Sequence, residues 1–441
     1  LAVANNVSSN SYVTVLRNTS TLGSFSFTPS MYNTGSYSEN VVTGDMNGDG
    51  KPDMVVTNNG SGTLSLFWNI SALAPTVTSF SPASGPISTS VTITGSNFNT
   101  TVNQNVVFFG ATQATVTSST SSTLTVTVPY GANYQYLSVT NLASNLTGYS
   151  TMPFVVTFPS NGVTNFVTDP TVTSSGAYSL GLEDFNGDGK PDLAVAGNST
   201  MTVYLNTSSP SGILSFSSTY SNNTGGSTSA YMSTGDFDGD GKPDIVISTY
   251  VSITSGPLYV YLNTGSSGTI NFANPVSLTS TDGANNHVHL ADMDGDGRPD
   301  IIFGGYANTV YWYLNQSTPG KVSVGSQQSF SVGGVDYDRL TIGDLDGDGK
   351  PDVVISDSGS GPMYTYHNVS SVGTISFTQG LTLSPGGAPG AVTLADFDGD
   401  GKLDIVERIC TGTTVVFFRN TNSVTGTINF SSSPSLTITI G

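Results

Sequence analysis

Cysteine occurs once in the 441 residues, at Cys410, so no internal disulfide can form. A reducing compartment would account for that, and so would an extracellular protein held by another kind of staple. Basic side chains are also scarce, with 11 Lys and Arg against 30 Asp and Glu and a formal charge of −19. That balance excludes long helices with salt-bridged faces, and it excludes nucleic acid and anionic membrane surfaces as partners. Apolar runs of about 18 residues are missing, so insertion into a membrane is not expected. No leader-like segment stands at Leu1, which leaves a cytosolic protein, a mature form and an excerpt as readings.

Catalytic signatures are missing as well. The chain has no GxSxG, HExxH or phosphate loop. Glu39, Asp169, Glu183 and Asp282 show no paired spacing. His287 and His289 alternate on one strand, which puts both on one side, either as metal ligands or as ordinary strand residues. Cys410 reads as a buried thiol. The expectation is a protein that is not an enzyme.

What the chain has is Val, Ile, Thr, Tyr and Phe cut by Gly, Asn and Ser, the composition of short strands and turns. It also has a repeat. DMNGDGKPDMVV begins at Asp45, DFNGDGKPDLAV at Asp184 and DFDGDGKPDIVI at Asp236. DMDGDGRPDIIF begins at Asp292, DLDGDGKPDVVI at Asp344 and DFDGDGKLDIVE at Asp396. After the second copy the spacings are 52, 56, 52 and 52 residues, whereas the first gap is 139. These loops hold 22 of the 30 acidic residues. Around Asp236, AYMSTG, IVIS, LYVYLN and TINFANPVSL read as four strands per period, the pattern of propeller blades.

The motif DxDGDGxPD between strands resembles the FG-GAP and VCBS repeats, the family that includes the head of integrin α-subunits. The resemblance implies a propeller, commonly of seven blades, with calcium in the loop between the first and second strands of a blade. Arithmetic agrees, since removing an insertion of about 85 residues leaves roughly 356, near seven periods. LAVANN, YVTVLRN and SFSFTP at the start match the later strands of a unit. One blade is therefore expected to be incomplete, with its missing strand supplied from elsewhere, as in a fibre joined by strand complementation.

Carboxylates at positions 1, 3, 5 and 9 of a loop repel one another unless a cation lies among them. Alternating oxygen ligands with a backbone carbonyl at position 7 suit Ca²⁺, and glycines at positions 4 and 6 let the chain wrap it. The expected ligands are Asp45, Asn47, Asp49, Lys51 and Asp53; Asp184, Asn186, Asp188, Lys190 and Asp192; and Asp236, Asp238, Asp240, Lys242 and Asp244. The other three sets are Asp292, Asp294, Asp296, Arg298 and Asp300; Asp344, Asp346, Asp348, Lys350 and Asp352; and Asp396, Asp398, Asp400, Lys402 and Asp404. Asn47 and Asn186 should weaken the first two sites. Six Ca²⁺ ions would bring −19 to −7. An EF-hand needs a Glu at position 12 and flanking helices, and only the last copy has one, Glu407.

Residues 75–158 contain SFSPASGPISTSVTITGSNF, which resembles an IPT/TIG domain, an immunoglobulin-like sandwich. The expected fold is all-β: a seven-bladed β-propeller with one incomplete blade, in segments 1–74 and 159–441, with the sandwich inserted between them. The sandwich should project from the face that carries the calcium loops. Third-strand aromatics such as Tyr259, Tyr261, Trp312 and Tyr366 either pack between blades or stack on sugars. Asn18, Asn69, Asn206, Asn315 and Asn368 begin Asn-x-Ser/Thr triplets, as glycosylation sites or as chance in a Ser/Thr-rich chain. The reading is an extracellular or cell-surface structural or adhesive protein that meets a protein, a glycan or its own copies. Its alternative is a carbohydrate-binding or targeting module of a larger secreted enzyme.

Overall fold

The computed structural model describes residues 2–5, 11–18, 27–44, 46, 53–69, 73–110, 112–129, 131–132, 136–157, 172, 176–197, 199–208, 214–224, 230–250, 256–266, 268–280, 286–305, 309–332, 337–357, 361–398, 400–409 and 414–439. Among them the only helical element is a 3₁₀ turn at Val102–Gln104, and no helix is long and apolar enough to cross a membrane. The chain forms two compact units, Leu1–Ala72 and Leu73–Gly441.

In the first unit, Ala2–Ala4, Tyr12–Asn18 and Phe27–Asn33 pair antiparallel in chain order. Ser38–Gly44, Asp53–Asn58 and Thr63–Phe67 form a second three-stranded sheet. Residues 158–171, which follow the sandwich in the chain, lie outside the described residues.

The second unit contains five four-stranded antiparallel sheets, each in chain order. The first runs Ala177–Glu183, Asp192–Gly197, Thr200–Asn206 and Phe216–Asn223; the last ends with Thr414–Phe418 and Leu436–Thr439. In each, the aspartate loop joins the first strand to the second. Second strands carry unbroken apolar runs because they are covered on both faces. All six residues of Asp244–Thr249 are buried. Ile245 and Ile247 pack with Ala194, Ala196 and Met201 of the preceding blade, and Val246 with Val288 and Ile301 of the following one. Each such side chain contributes about 1.5–3 kcal/mol by leaving water.

Third-strand aromatics fill the same seams. Tyr261 is fully buried, and Trp312 packs on Phe330 and on Phe377 of the next blade at centroid distances of 6.1 and 6.0 Å. These rings serve packing between blades.

Asparagines at the ends of four third strands tie the blades together. Asn315 donates its backbone N–H to Asp300 Oδ1 at 2.8 Å. Its Nδ2 donates to Pro299 O at 2.8 Å and, across the seam, to Phe237 O at 2.7 Å. Asn263, Asn368 and Asn420 repeat the arrangement, reaching Phe185 O, Met293 O and Leu345 O at 2.9, 2.9 and 2.8 Å. With its amide nitrogen spent on two carbonyls, the buried side chain of Asn315 or Asn368 cannot carry a glycan in the folded protein. Asn206 also gives its Nδ2 to a carbonyl, Pro191 O at 2.8 Å. The glycosylation reading therefore fails at Asn315 and Asn368, and the side chain of Asn18 lies outside the described residues.

Seven antiparallel-paired strands from Thr76–Ser81 to Leu146–Pro153 form a sandwich rolled toward a barrel, with Thr112–Ser119 passing from one sheet to the other at a bulge near Val116. Alternation in Ser90–Ser96 turns Val91 and Ile93 inward onto Val107, Phe109, Leu124 and Phe154. The protein is all-β, with seven blade sheets of a β-propeller, two of them three-stranded among the described residues, and an inserted immunoglobulin-like sandwich.

Candidate metal centres

Each loop folds around its own carboxylates. Asp236 accepts N–H groups from Gly239 and Gly241 at 2.9 and 3.0 Å. Both glycines have φ near +80°, at +79° and +84°, where a side chain would be strained. Asp238 accepts from Asp240 N at 3.1 Å and, across the seam, from Gly320 N at 2.7 Å. Asp244 braces the base, taking Phe237 N on one oxygen at 2.8 Å and Asn263 N on the other at 2.7 Å. The loops from Asp184, Asp292, Asp344 and Asp396 keep the bond from position 6 to position 1, at 2.8, 2.9, 2.9 and 2.9 Å. Of the first loop, Asp53 is described and accepts Met46 N at 3.1 Å, while Asp45, Asn47, Asp49 and Lys51 lie outside the described residues.

Oxygens from positions 1, 3 and 9 converge. One from each of Asp236, Asp238 and Asp244 lies within 4.8 Å of the others, as in the sets Asp292, Asp294, Asp300 and Asp396, Asp398, Asp404. In the fifth loop Asp344, Asp346 and Asp348 form such a set. Position 5 is elsewhere drawn toward the base at position 7: Asp240 to Lys242 at 3.2 Å, Asp296 to Arg298 at 2.7 Å and Asp400 to Lys402 at 3.5 Å. The expected position-7 residues donate their N–H groups to position 5, Lys190, Lys242, Arg298 and Lys350 all at 2.9 Å.

These basic side chains do not reach positions 1 and 9, and the electrostatics show it. Burial, then the neighbouring Asp240 and Asp238, push Asp236 up to about 7. Burial first, opposed by backbone N–H bonds and reinforced by like charges, pushes Asp192 and Asp292 to about 7 and Asp300 and Asp352 to about 8. Asp184 rises to about 6 for the same first cause. Carboxylates held together away from water at such cost fit a bound cation, and the all-oxygen donor set suits a hard divalent one.

The sandwich lies on the loop face, as its position in the chain implies, but it is seated there and does not project. Thr140 Oγ1 donates to Asp236 Oδ2 at 3.0 Å, and Thr147 N to Gly297 O at 2.7 Å. The approach is so close that a Cβ on Gly239 would stand 2.1 Å from Asn145 O. Between the two layers is a cavity of about 370 Å³. The sandwich lines it with Phe108, Tyr136 and Tyr149, and the blades with Glu183, Thr234 and His289. Thr234 Oγ1 donates to Glu183 at 2.8 Å, and burial pushes that carboxyl up to about 8.

The histidine pair is split by use. His287 packs on Tyr231 as a tilted ring pair with centroids 4.5 Å apart, and His289 Nε2 meets Leu340 O at 2.9 Å. Burial lowers both to about 4, which keeps them neutral. No metal cluster among the described residues includes either. Glu407 lies on a second strand, bonded by Ser356 Oγ, and does not join the last loop's oxygens. Cys410 lies outside the described residues.

Two other side chains escaped the sequence reading. His367 Nδ1 stands 2.7 Å from Asp346 Oδ2, and Arg419 reaches Asp398 and Asp400, the latter at 3.3 Å. Both occupy the position before the seam asparagine, where Leu205, Leu262 and Leu314 stand in other repeats. Lining up the third strands would have revealed them.

The model of the FG-GAP-like repeat matches residues 1–56, 184–247, 249–303, 292–355 and 344–407, more than half the chain, and that of the IPT/TIG domain matches 75–158. Both types are typical of extracellular proteins. No curated protein matches the chain. Among solved structures, it is similar to a lectin of Agrocybe aegerita described as recognising non-reducing terminal N-acetylglucosamine, at 18% identity over 89% of this chain and 92% of that one, TM-score 0.42. A putative 6-phosphogluconolactonase of Bacteroides fragilis is 13% identical over 78% and 84%, TM-score 0.42. An auxiliary nutrient binding protein of Bacteroides thetaiotaomicron is 13% identical over 81% and 85%, TM-score 0.37. The repeated loops, the strands around them and the two family-model matches place the chain in the family of FG-GAP-like repeat proteins, with an IPT/TIG domain inserted.

Proposed function

We propose that the protein is a non-enzymatic, calcium-stabilised adhesive or structural module of an extracellular surface, with the sandwich as its presenting element. One observation carries the reading: the sandwich rests directly on the aspartate loops, with Thr140 bonded to a ligand carboxylate, Asp236. Ca²⁺ held by positions 1, 3 and 9 would neutralise the buried charge and fix the loop surface on which the sandwich sits. At free calcium about 100 times the dissociation constant, each ion adds roughly 2.7 kcal/mol, and several ions replace disulfides as staples. The partner is a surface protein, a glycan or further copies of the chain, and its sharpest form is a fibre joined by strand complementation.

The test is limited proteolysis with binding to whole cells, in calcium and in chelator. Protection of the sandwich and binding should both be lost on chelation and return with calcium. A sandwich equally protected without metal would end the proposal, and fibres absent from particle images at every calcium level would end its fibre form.

A second reading is favoured by the cavity, whose volume of about 370 Å³ and lining of Tyr136, Tyr149, Phe108 and hydroxyl groups suit a monosaccharide. Glycan-array binding that disappears in Tyr149→Ala would support it; no glycan retained on the array would remove it.

A further inference from the structure

The fifth aspartate loop differs from those that begin at Asp236 and Asp292 in what faces its third residue. In the loops from Asp236 and Asp292, the outer oxygen of position 3 accepts an N–H from a glycine at the tip of a neighbouring blade: Gly320 to Asp238 Oδ2 at 2.7 Å, and Gly373 to Asp294 Oδ2. In the loop from Asp344 the matching glycine, Gly426, turns its N–H to the main-chain oxygen of Asp346 at 3.3 Å. Asp346 Oδ2 is left without a hydrogen bond, in a side chain that is wholly shielded from solvent.

His367 fills the gap. Its Nδ1 lies 2.7 Å from Asp346 Oδ2 and 3.4 Å from Asp352 Oδ1. Nδ1 and Oδ2 are both buried, they form an ion pair only when the imidazole is protonated, and neither has another hydrogen-bond partner. One ligand atom from each of Asp346, Asp352 and His367 lies within 4.8 Å of the other two. The opposite oxygen of Asp346 accepts Asp348 N at 3.2 Å, and Asp346 also belongs to the loop's own set with Asp344 and Asp348. Asp346 is thus shared between an all-oxygen set and a mixed one.

The geometry points to a second kind of metal site: Asp346, Asp352 and His367 bind a divalent transition-metal ion, with zinc as its representative, beside the ion of the Asp344 loop. Imidazole nitrogen is a poor ligand for Ca²⁺, which takes oxygens, and a good one for Zn²⁺ and its neighbours in the first transition row. One histidine with two carboxylates leaves a fourth position for water, and the imidazole, whose side chain is 21% exposed, borders solvent. The site rests on the reading of the loops as calcium sites only in sharing Asp346 and Asp352, positions 3 and 9 of the fifth loop, with one of them.

The experiment loads the full chain with saturating calcium, dialyses it against zinc, and counts both metals by elemental analysis. Anomalous diffraction at the zinc edge then locates the ion. The expected result is one zinc per chain at His367, retained in millimolar calcium. His367→Leu installs the residue that three sister repeats already carry at this place, so it should fold, lose the zinc and keep its calcium. His367→Asn, which retains polarity, should lose zinc equally. Zinc bound alike by wild type and both variants, or by none of them, overturns the assignment and marks the contact as a plain ion pair. One zinc dependent on His367 in a chain that takes up no calcium would uphold this site and overturn the calcium reading.

Discussion

The loops that begin at Asp236 and Asp396 are spelled almost alike, DFDGDGKPD and DFDGDGKLD, but their surroundings differ. The first is roofed by the sandwich, with Asp236 bonded to Thr140 and pushed up to about 7 by burial and by Asp240 and Asp238. In the second, Asp398 is exposed, and its hydrogen bond from Arg419 holds its carboxyl below the usual range. One loop concentrates negative charge out of water, and the other already has a cation of its own. Nine residues settle which oxygens are on offer; the neighbouring chain settles how badly they need a metal.

Chelation should expose that difference most. Removing calcium with excess EDTA is expected to lower the melting temperature by roughly 10 °C or more, since several sites of about 2.7 kcal/mol each are lost. The pH dependence should also change sign. In metal-free protein the folded-state pKa of Asp300 and Asp352 is about 8, above the unfolded value. Such groups contribute stability that is full below about pH 4 and is lost as pH rises through about 8. Calorimetry without metal should therefore show a melting temperature that falls from pH 5 to 8, and with calcium it should not fall. An unchanged melting temperature after exhaustive chelation would dissolve the comparison.

Single substitutions come next. Asp236→Asn should cost about 2–4 kcal/mol in calcium and Asp396→Asn about 1 or less, measured by denaturant unfolding. Equal costs would mean that the sandwich roof is irrelevant to the ion. Asn315→Ala should cost about 1–3 kcal/mol through the two carbonyls it leaves unpaired, with calcium affinity little changed. The smallest effect is sought in Arg419→Leu. Freeing Asp398 should tighten calcium binding at the last loop a few-fold, read by calorimetric titration against the wild type.

Much of the architecture was legible because its signals are local. Four strands per period and an acidic loop after the first follow from residues within one repeat, and glycines at positions 4 and 6 announce the left-handed turns seen at Gly239 and Gly241. Contacts between repeats were less legible. Asn315 looks like a glycosylation triplet until its amide is seen spanning a seam of 78 residues in sequence to Phe237. The seat of the sandwich depends on Thr140 meeting Asp236, a pairing that no periodicity encodes. His367 is an intermediate case: its chemistry is hidden in one repeat and visible only as a departure from Leu205, Leu262 and Leu314.

The seam asparagines also bear on how such a chain can change over generations. Asn263, Asn315, Asn368 and Asn420 each grip main-chain oxygens, in their own blade and in the blade just before, and main chain is present whatever the side chains become. A duplicated or deleted blade would arrive with its own grip and find an acceptor waiting in whichever neighbour it met. Side chains elsewhere in the loops are then at liberty to drift, one toward histidine and another toward arginine, without loosening the row.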